Sequence, residues 1–177
     1  VHSEYAAVPE DNLIPVPEHV DWEVAGSASL VFQTAWRMLI ERAELKAGES
    51  VLVLGASGGV GHAALQIADY AGAEVYATGS TEEKLEYAEE HGADYVCNYE
   101  EENFADWVLS ETGGRGVDVV VEHVGAPTWQ DSLKSLTKGG RLVTCGGTGG
   151  GNPETDIPRI FWNQLEIIGS TMATPDQ

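Results

Sequence analysis

The 177 residues carry 29 Asp and Glu against 9 Lys and Arg, for a formal net charge of −20, and 42% of them are hydrophobic. That length suits one domain with a real core and an appendage, not two large domains. So acidic a chain is repelled by phosphate backbones and anionic lipid, which bind through Lys and Arg, and no apolar run reaches the ~18 residues of a span, so neither nucleic acid nor membrane is an expected partner.

Residues 1–27 are polar, acidic and interrupted by Pro9, Pro15 and Pro17, a pattern of extended linker or edge structure. Their start, Val1-His2-Ser3-Glu4-Tyr5, has neither an initiator Met nor the basic and apolar regions of a signal peptide, and reads as the interior of a longer sequence. Phe32, Trp36, Leu39 and Ile40 recur at helical spacing and predict a helix over 28–45, stopped by Lys46-Ala47-Gly48. Strands and helices then alternate. Strands are predicted at 51–54, 74–78, 93–97, 117–121, 141–145 and 165–170, with helices from the glycine turn 55–61 through 71 and at 81–91, 103–110 and 128–136. A Gly-rich loop and a segment around 158–164 precede the sixth strand. Near-continuous Val and Leu strands alternating with helices predict an α/β fold, a Rossmann-type doubly wound parallel sheet. Ligands of such a sheet bind beyond the carboxyl ends of the strands, where the strand order reverses.

The strongest local signal is Val51-Leu52-Val53-Leu54-Gly55-Ala56-Ser57-Gly58-Gly59-Val60-Gly61, a strand entering a glycine turn and then a helix. It is a GxGxxG variant with Ala56 in the first glycine place and Gly58 and Gly61 in the others. Small residues there let the backbone approach a pyrophosphate and offer it helix N-terminal N–H groups. The second strand ends in Gly79-Ser80, where a cofactor with a free ribose 2′-hydroxyl usually meets an acid. Small polar donors with Lys84 one helical turn on suit a 2′-phosphate, so NADP is favoured, with NAD possible. There is no GxxxxGK[ST], which removes a P-loop hydrolase, and none of Lys46, Lys84, Lys134 and Lys138 has a Tyr four residues before it, which removes a short-chain dehydrogenase. An S-adenosylmethionine-dependent methyltransferase stays as a distant alternative.

Cys97 and Cys145 belong to no CxxC and read as small buried strand residues, reduced in a cytoplasm. The five histidines lack metal-ligand spacing. His123, in Glu122-His123-Val124, stands where a general base could act or where a strand end simply varies. The acidic, lysine-poor composition points to life in high salt, where screening tolerates self-repulsion.

Taken together, Thr34-Ala35-Trp36, Gly48-Glu49-Ser50, residues 55–61, Gly92-Ala93-Asp94, Gly114-Arg115-Gly116-Val117-Asp118, Gly139-Gly140-Arg141 and Ile168-Gly169-Ser170 resemble the medium-chain dehydrogenase/reductase family, in its zinc-type alcohol dehydrogenase and quinone oxidoreductase branches. The resemblance implies a coenzyme-binding domain at 28–170, a remnant of the substrate domain at 1–27 and the return to that domain at 171–177. It implies hydride transfer between NADP(H) and an alcohol, carbonyl or quinone, by an enzyme of which this chain alone is inactive. It places Gly58, Gly59 and Val60 at the pyrophosphate, Ser80, Lys84 and Tyr99 at the 2′-phosphate pocket, Val124, Gly125, Gly146 and Gly147 along the adenine and nicotinamide side, and Thr34 at the nicotinamide. Family members commonly dimerise through the last sheet edge, here near 165–170, and a non-catalytic, dimer-forming nucleotide-binding module is the alternative. Zinc-dependent members place a ligand, often Cys, four residues before the Thr-Ala-aromatic motif. That place is Leu30 here, so zinc is not expected in this chain.

Overall fold

In β1 (Ser50–Val53) every residue is buried, the mark of a strand covered on both faces. The structure, a computed structural model, describes residues 3–172. The remaining strands are β2 (Glu74–Gly79), β3 (Tyr95–Asn98), β4 (Val117–Glu122), β5 (Leu136–Thr144) and β6 (Glu166–Gly169). They form one parallel six-stranded sheet in the order β3-β2-β1-β4-β5-β6. Between them run α2 (Gly59–Tyr70), α3 (Glu82–Glu90), α4 (Phe104–Glu111), α5 (Trp129–Ser135) and α6 (Ile157–Trp162), preceded by α1 (Trp22–Trp36).

The two-residue period of the strands divides the core. Val51, Val53, Val75, Val119 and Val121 pack on one face with Ala35 of α1, Leu39 just past it, and Ala64 and Ala68 of α2. Leu52, Tyr76, Val120 and Leu142 pack on the other with Trp107, Val108 and Leu133. Strand order reverses between β1 and β4, so the crevice at their carboxyl ends is the place the topology offers a ligand.

Some elements differ from expectation. The first helix starts at Trp22 rather than 28, because Ala25, Ala28 and Phe32 make one helical face that lines a groove with Leu13, Ile14 and Val16 of the lead-in. It also loosens into a π-helical turn, Arg37–Arg42, where the adjacent residues Met38 and Leu39 are both fully buried. Arg42 donates from there to the Gly169 carbonyl at 3.1 Å and Arg37 to that of Met172 at 3.3 Å, fastening the turn beside the β6 edge. β5 begins at Leu136, five residues before the expected start, since Leu136 already pairs with Val117 across a register shift. Cys97 is buried in β3, but Cys145 lies just past β5 and is only partly covered. Of the expected return segment 171–177, residues 173–177 lie outside the described residues, as do residues 1–2 of the lead-in.

At the other end of the sheet, the Ser50 amide and hydroxyl both donate to Asp118 Oδ2 at 2.9 Å, and Arg115 bonds Oδ1 at 2.6 Å. Burial pushes the Asp118 carboxyl up, but the Arg115 and Ser50 hydrogen bonds outweigh it and hold the group below the usual carboxylate range. A carboxyl lowered by folding contributes stability above its unfolded value and loses it as pH falls through the folded one. Asp118→Asn should therefore lower the thermal midpoint by about 5 °C at neutral pH. The difference from wild type should close below about pH 4, and a difference that persists in acid would count against the assignment.

Candidate functional site

β1 runs into a tight turn whose backbone is tied on both sides. The Gly58 amide donates to the Gly55 carbonyl at 2.9 Å, and the Gly55 and Ala56 amides reach Thr78 of β2, on its Oγ1 at 3.3 Å and its carbonyl at 3.2 Å. Gly58 is the extended N-cap of α2, and Gly59 and Val60 are its first residues. The leading N–H groups of a helix have no intrahelical acceptors, so this end of α2 carries partial positive charge at the carboxyl ends of β1 and β4. A Cβ on Gly61 would lie 2.3 Å from the Gly55 carbonyl oxygen, so turn and helix touch backbone to backbone there. A Cβ on Gly59 would meet the Val31 side chain of α1 at 2.9 Å, which brings that helix against the turn. Thr34 lies on α1, nearly buried, with its hydroxyl donating to the Leu30 carbonyl at 2.7 Å.

At the end of β2, Lys84 donates to Ser80 Oγ at 2.8 Å. Lys84 also borders an open depression with Ser57, Glu83 and Tyr87. The Tyr87 hydroxyl lies 2.9 Å from His62 Nδ1. Burial, and then the neighbouring His91, hold the His62 imidazole below its ordinary value, so it adds no positive charge beside Lys84 at neutral pH. Tyr99, 45% exposed, lines a cavity of about 360 Å³ together with Leu54, Thr78, Val124, Pro127 and Thr128.

Gly125 stands one residue beyond Val124 but faces a different hollow of about 450 Å³, which it shares with Gly146, Gly147 and Trp129. Between the two hollows runs the turn from β4 to α5. The structure thus gathers Tyr99 with Val124, Gly125 with Gly146 and Gly147, and Ser80 with Lys84, all at the carboxyl end of the sheet. Thr34 lines none of these hollows.

Sequence reasoning passed over Glu122 at the end of β4, and for His123 beside it left a general base and a varying strand end both open. His123 places Nε2 2.9 Å from the Leu54 carbonyl. A carbonyl only accepts, so Nε2 carries the proton and is committed to holding β4 against the end of β1. Glu122, fully buried, accepts the Val124 amide at 2.6 Å, the Gly125 amide at 3.0 Å and the Thr128 and Ser132 hydroxyls at 2.8 Å each. The signal was present as an acid ending the all-apolar run 119–121, followed by hydroxyls four residues apart on one helix face.

Among the described residues no three or more His, Cys, Asp or Glu side chains are grouped to hold a metal ion. Leu30 is 56% exposed, and its side chain offers no donor atom for a zinc ion at that position. Burial pushes the Cys97 thiol up to about 12, with Glu102 adding to the shift, and raises that of Cys145 as well. Thiolate is the reactive form, so Cys97 should resist alkylation at pH 8 in the native state, and only unfolding should expose it, as mass spectrometry after iodoacetamide would record.

Residues 59–177 match the zinc-binding dehydrogenase family. The quinone oxidoreductase of Homo sapiens is 37% identical over 171 residues, covering 97% of this chain and 51% of that protein. A crystal structure of an NAD-dependent alcohol dehydrogenase superposes with a TM-score of 0.90 at 40% identity, covering 94% of this chain and 49% of that one. The 2-octenoyl-CoA carboxylase reductase CinF, solved in complex with NADP and 2-octenoyl-CoA, superposes with a TM-score of 0.84 at 32% identity, covering 91% and 40%. The chain spans about half the length of the curated relatives it matches. With its parallel sheet, its glycine turn at the point of strand reversal and these matches, the chain belongs to the medium-chain dehydrogenase/reductase family, among the zinc-binding dehydrogenases.

Proposed function

We propose that the chain is the NADP(H)-binding domain of an oxidoreductase that passes hydride between the nicotinamide and an alcohol, carbonyl or quinone. The observation that carries this reading is the backbone contact of Gly61 with Gly55, which sets α2 end-on to the crevice, together with the Ser80–Lys84 pair where an acid would select a free ribose. Gly58, Gly59 and Val60 would offer their N–H groups to the pyrophosphate. Ser80 and Lys84 would take the 2′-phosphate, with Tyr99 closing the adenosine end. Val124 and Gly125, with Gly146 and Gly147, would flank the ligand, and Thr34 would approach the nicotinamide from α1. When bound, the cofactor supplies the hydride, and this domain's part is to fix its position while another segment polarises the substrate. Residues 28–170 would form that domain, with 1–27 and 171–177 leading from and to a substrate domain, so the chain alone would bind dinucleotide and turn over little.

Titration of NADPH and NADH by their fluorescence in molar salt tests the reading. NADPH is expected to bind more tightly, and Lys84→Ala should weaken it about tenfold while leaving NADH unchanged. No binding of either nucleotide would overturn it. The alternative of a non-catalytic, dimer-forming module draws on the open edge of β6, where Ile167 is 39% exposed near Phe161 at 58% and Trp162 at 75%. Light scattering at high salt decides that point, since a monomer would remove the interface. The composition fits a protein of a salt-rich, reducing cytoplasm, and no helix among the described residues is long and apolar enough to cross a membrane.

A further inference from the structure

Glu122 is the one charged side chain fully buried among the described residues, and no cation accompanies it. Its carboxyl is met by hydrogen bonds instead. Oε1 takes the Val124 and Gly125 amides, and Oε2 takes the Thr128 and Ser132 hydroxyls. The Thr128 hydroxyl also lies 3.2 Å from the Gly125 carbonyl. All four partners can donate, the complement of a carboxylate, which only accepts.

The geometry has two consequences. Because the Val124 and Gly125 amides point inward to Glu122, the turn shows its carbonyls to the neighbouring loop. His123 and Val124 accept from the amides of Thr148 at 3.2 Å and Gly149 at 2.6 Å, and the Gly150 carbonyl takes the Ala126 amide at 2.9 Å. One carboxylate therefore fixes the turn after β4, and that turn holds the loop after β5. The two hollows described above lie on opposite sides of this clasp, with Val124 and Thr128 on one and Gly125 and Gly147 on the other. In addition, the Val124, Gly125, Ala126 and Thr128 amides are all engaged within the clasp, so they do not compete with the head of α2 for an anion.

We propose that Glu122 is a positioning residue for dinucleotide binding, acting through the turn it holds and touching no ligand itself. The inference rests on the dinucleotide reading given above. The test is NADPH titration of the purified protein and three variants, with near-ultraviolet circular dichroism reporting the fold. Glu122→Leu orphans two buried amides and should weaken binding about thirtyfold. Glu122→Gln keeps an acceptor for those amides and presents an NH2 to hydroxyls that can rotate to accept it, so it should restore affinity to within about twofold of wild type. Ser132 lines neither hollow, so Ser132→Ala can reach the ligand only through Glu122. It should cost about threefold, and it decides the matter if Glu122→Leu does not fold.

A wild-type protein that binds no NADPH overturns the dinucleotide reading and this inference together. A wild-type protein that binds, with Ser132→Ala and any folded Glu122→Leu binding equally well, overturns only the role of Glu122. So does Glu122→Gln binding as weakly as Glu122→Leu.

Discussion

Gly61→Val should abolish dinucleotide binding and unfold the junction of β1 and α2. A Cβ at this position would stand 2.3 Å from the Gly55 oxygen and 2.9 Å from both the Gly55 carbonyl carbon and Ala56 Cα, and all three are backbone atoms. No rotamer change relieves such a contact, so the helix must move off the strand. That movement would break the cover over Val51 and Val53, which are fully buried. Even Gly61→Ala should cost about 3 kcal/mol and lower the thermal midpoint by about 8 °C. Gly59 supplies the control. Its added Cβ would meet the Val31 Cγ1 end of a side chain at 2.9 Å, which can rotate away, so Gly59→Ala should cost under about 1 kcal/mol. Thermal melts of the three variants beside NADPH titrations check this. Equal melting of Gly61→Ala and wild type would mean that the turn is not held as the backbone distances require.

The same contrast between local and distant partners explains what could be read from the sequence. Residues 51–53 of β1 and 119–121 of β4 were legible because strands buried on both faces become runs of Val and Leu. The glycine turn was legible because its constraint lies within seven consecutive residues. Ser80 and Lys84 stand four apart, and their contact was within reach of a helix-spacing argument. The π turn at Arg37–Arg42 was not legible, since it answers to the burial of Met38 and Leu39 together and to the Gly169 carbonyl far along the chain. Gly26-Ser27 reads as linker until the lead-in is laid along Ala25, Ala28 and Phe32, and only then does helix start at Trp22 make sense. Glu122 was the costliest omission. An acid after an apolar run looks like the end of a strand reaching water, and nothing short of α5 folded onto β4 shows that Thr128 and Ser132 arrive as donors.

Affinity for NADPH should rise with salt, about a hundredfold between low-salt buffer and molar KCl. Most nucleotide sites are built from cations and weaken as salt screens them. Here the net charge is −20, and α3, which carries Lys84, opens with Glu82 and Glu83 and has no basic residue in its last turn. The dinucleotide brings about four further negative charges against a body of about 20 Å radius. Spread over that radius, the protein's charge opposes the ligand by several kcal/mol when the Debye length is about 14 Å. Shortening that length to about 3 Å removes on the order of 3 kcal/mol, which is the hundredfold expected. The local attractions survive because they are short: Lys84 against a phosphate and the amides at the head of α2 act at hydrogen-bond distance, inside the screening length even in molar salt. KCl is the right salt for the titration, because sulfate would strengthen apolar burial in its own right. Adenosine, which is uncharged, should bind with nearly the same affinity throughout. If NADPH instead weakens as KCl rises, local cations outweigh the acidic surface and the charge of the chain has no part in how it holds its ligand.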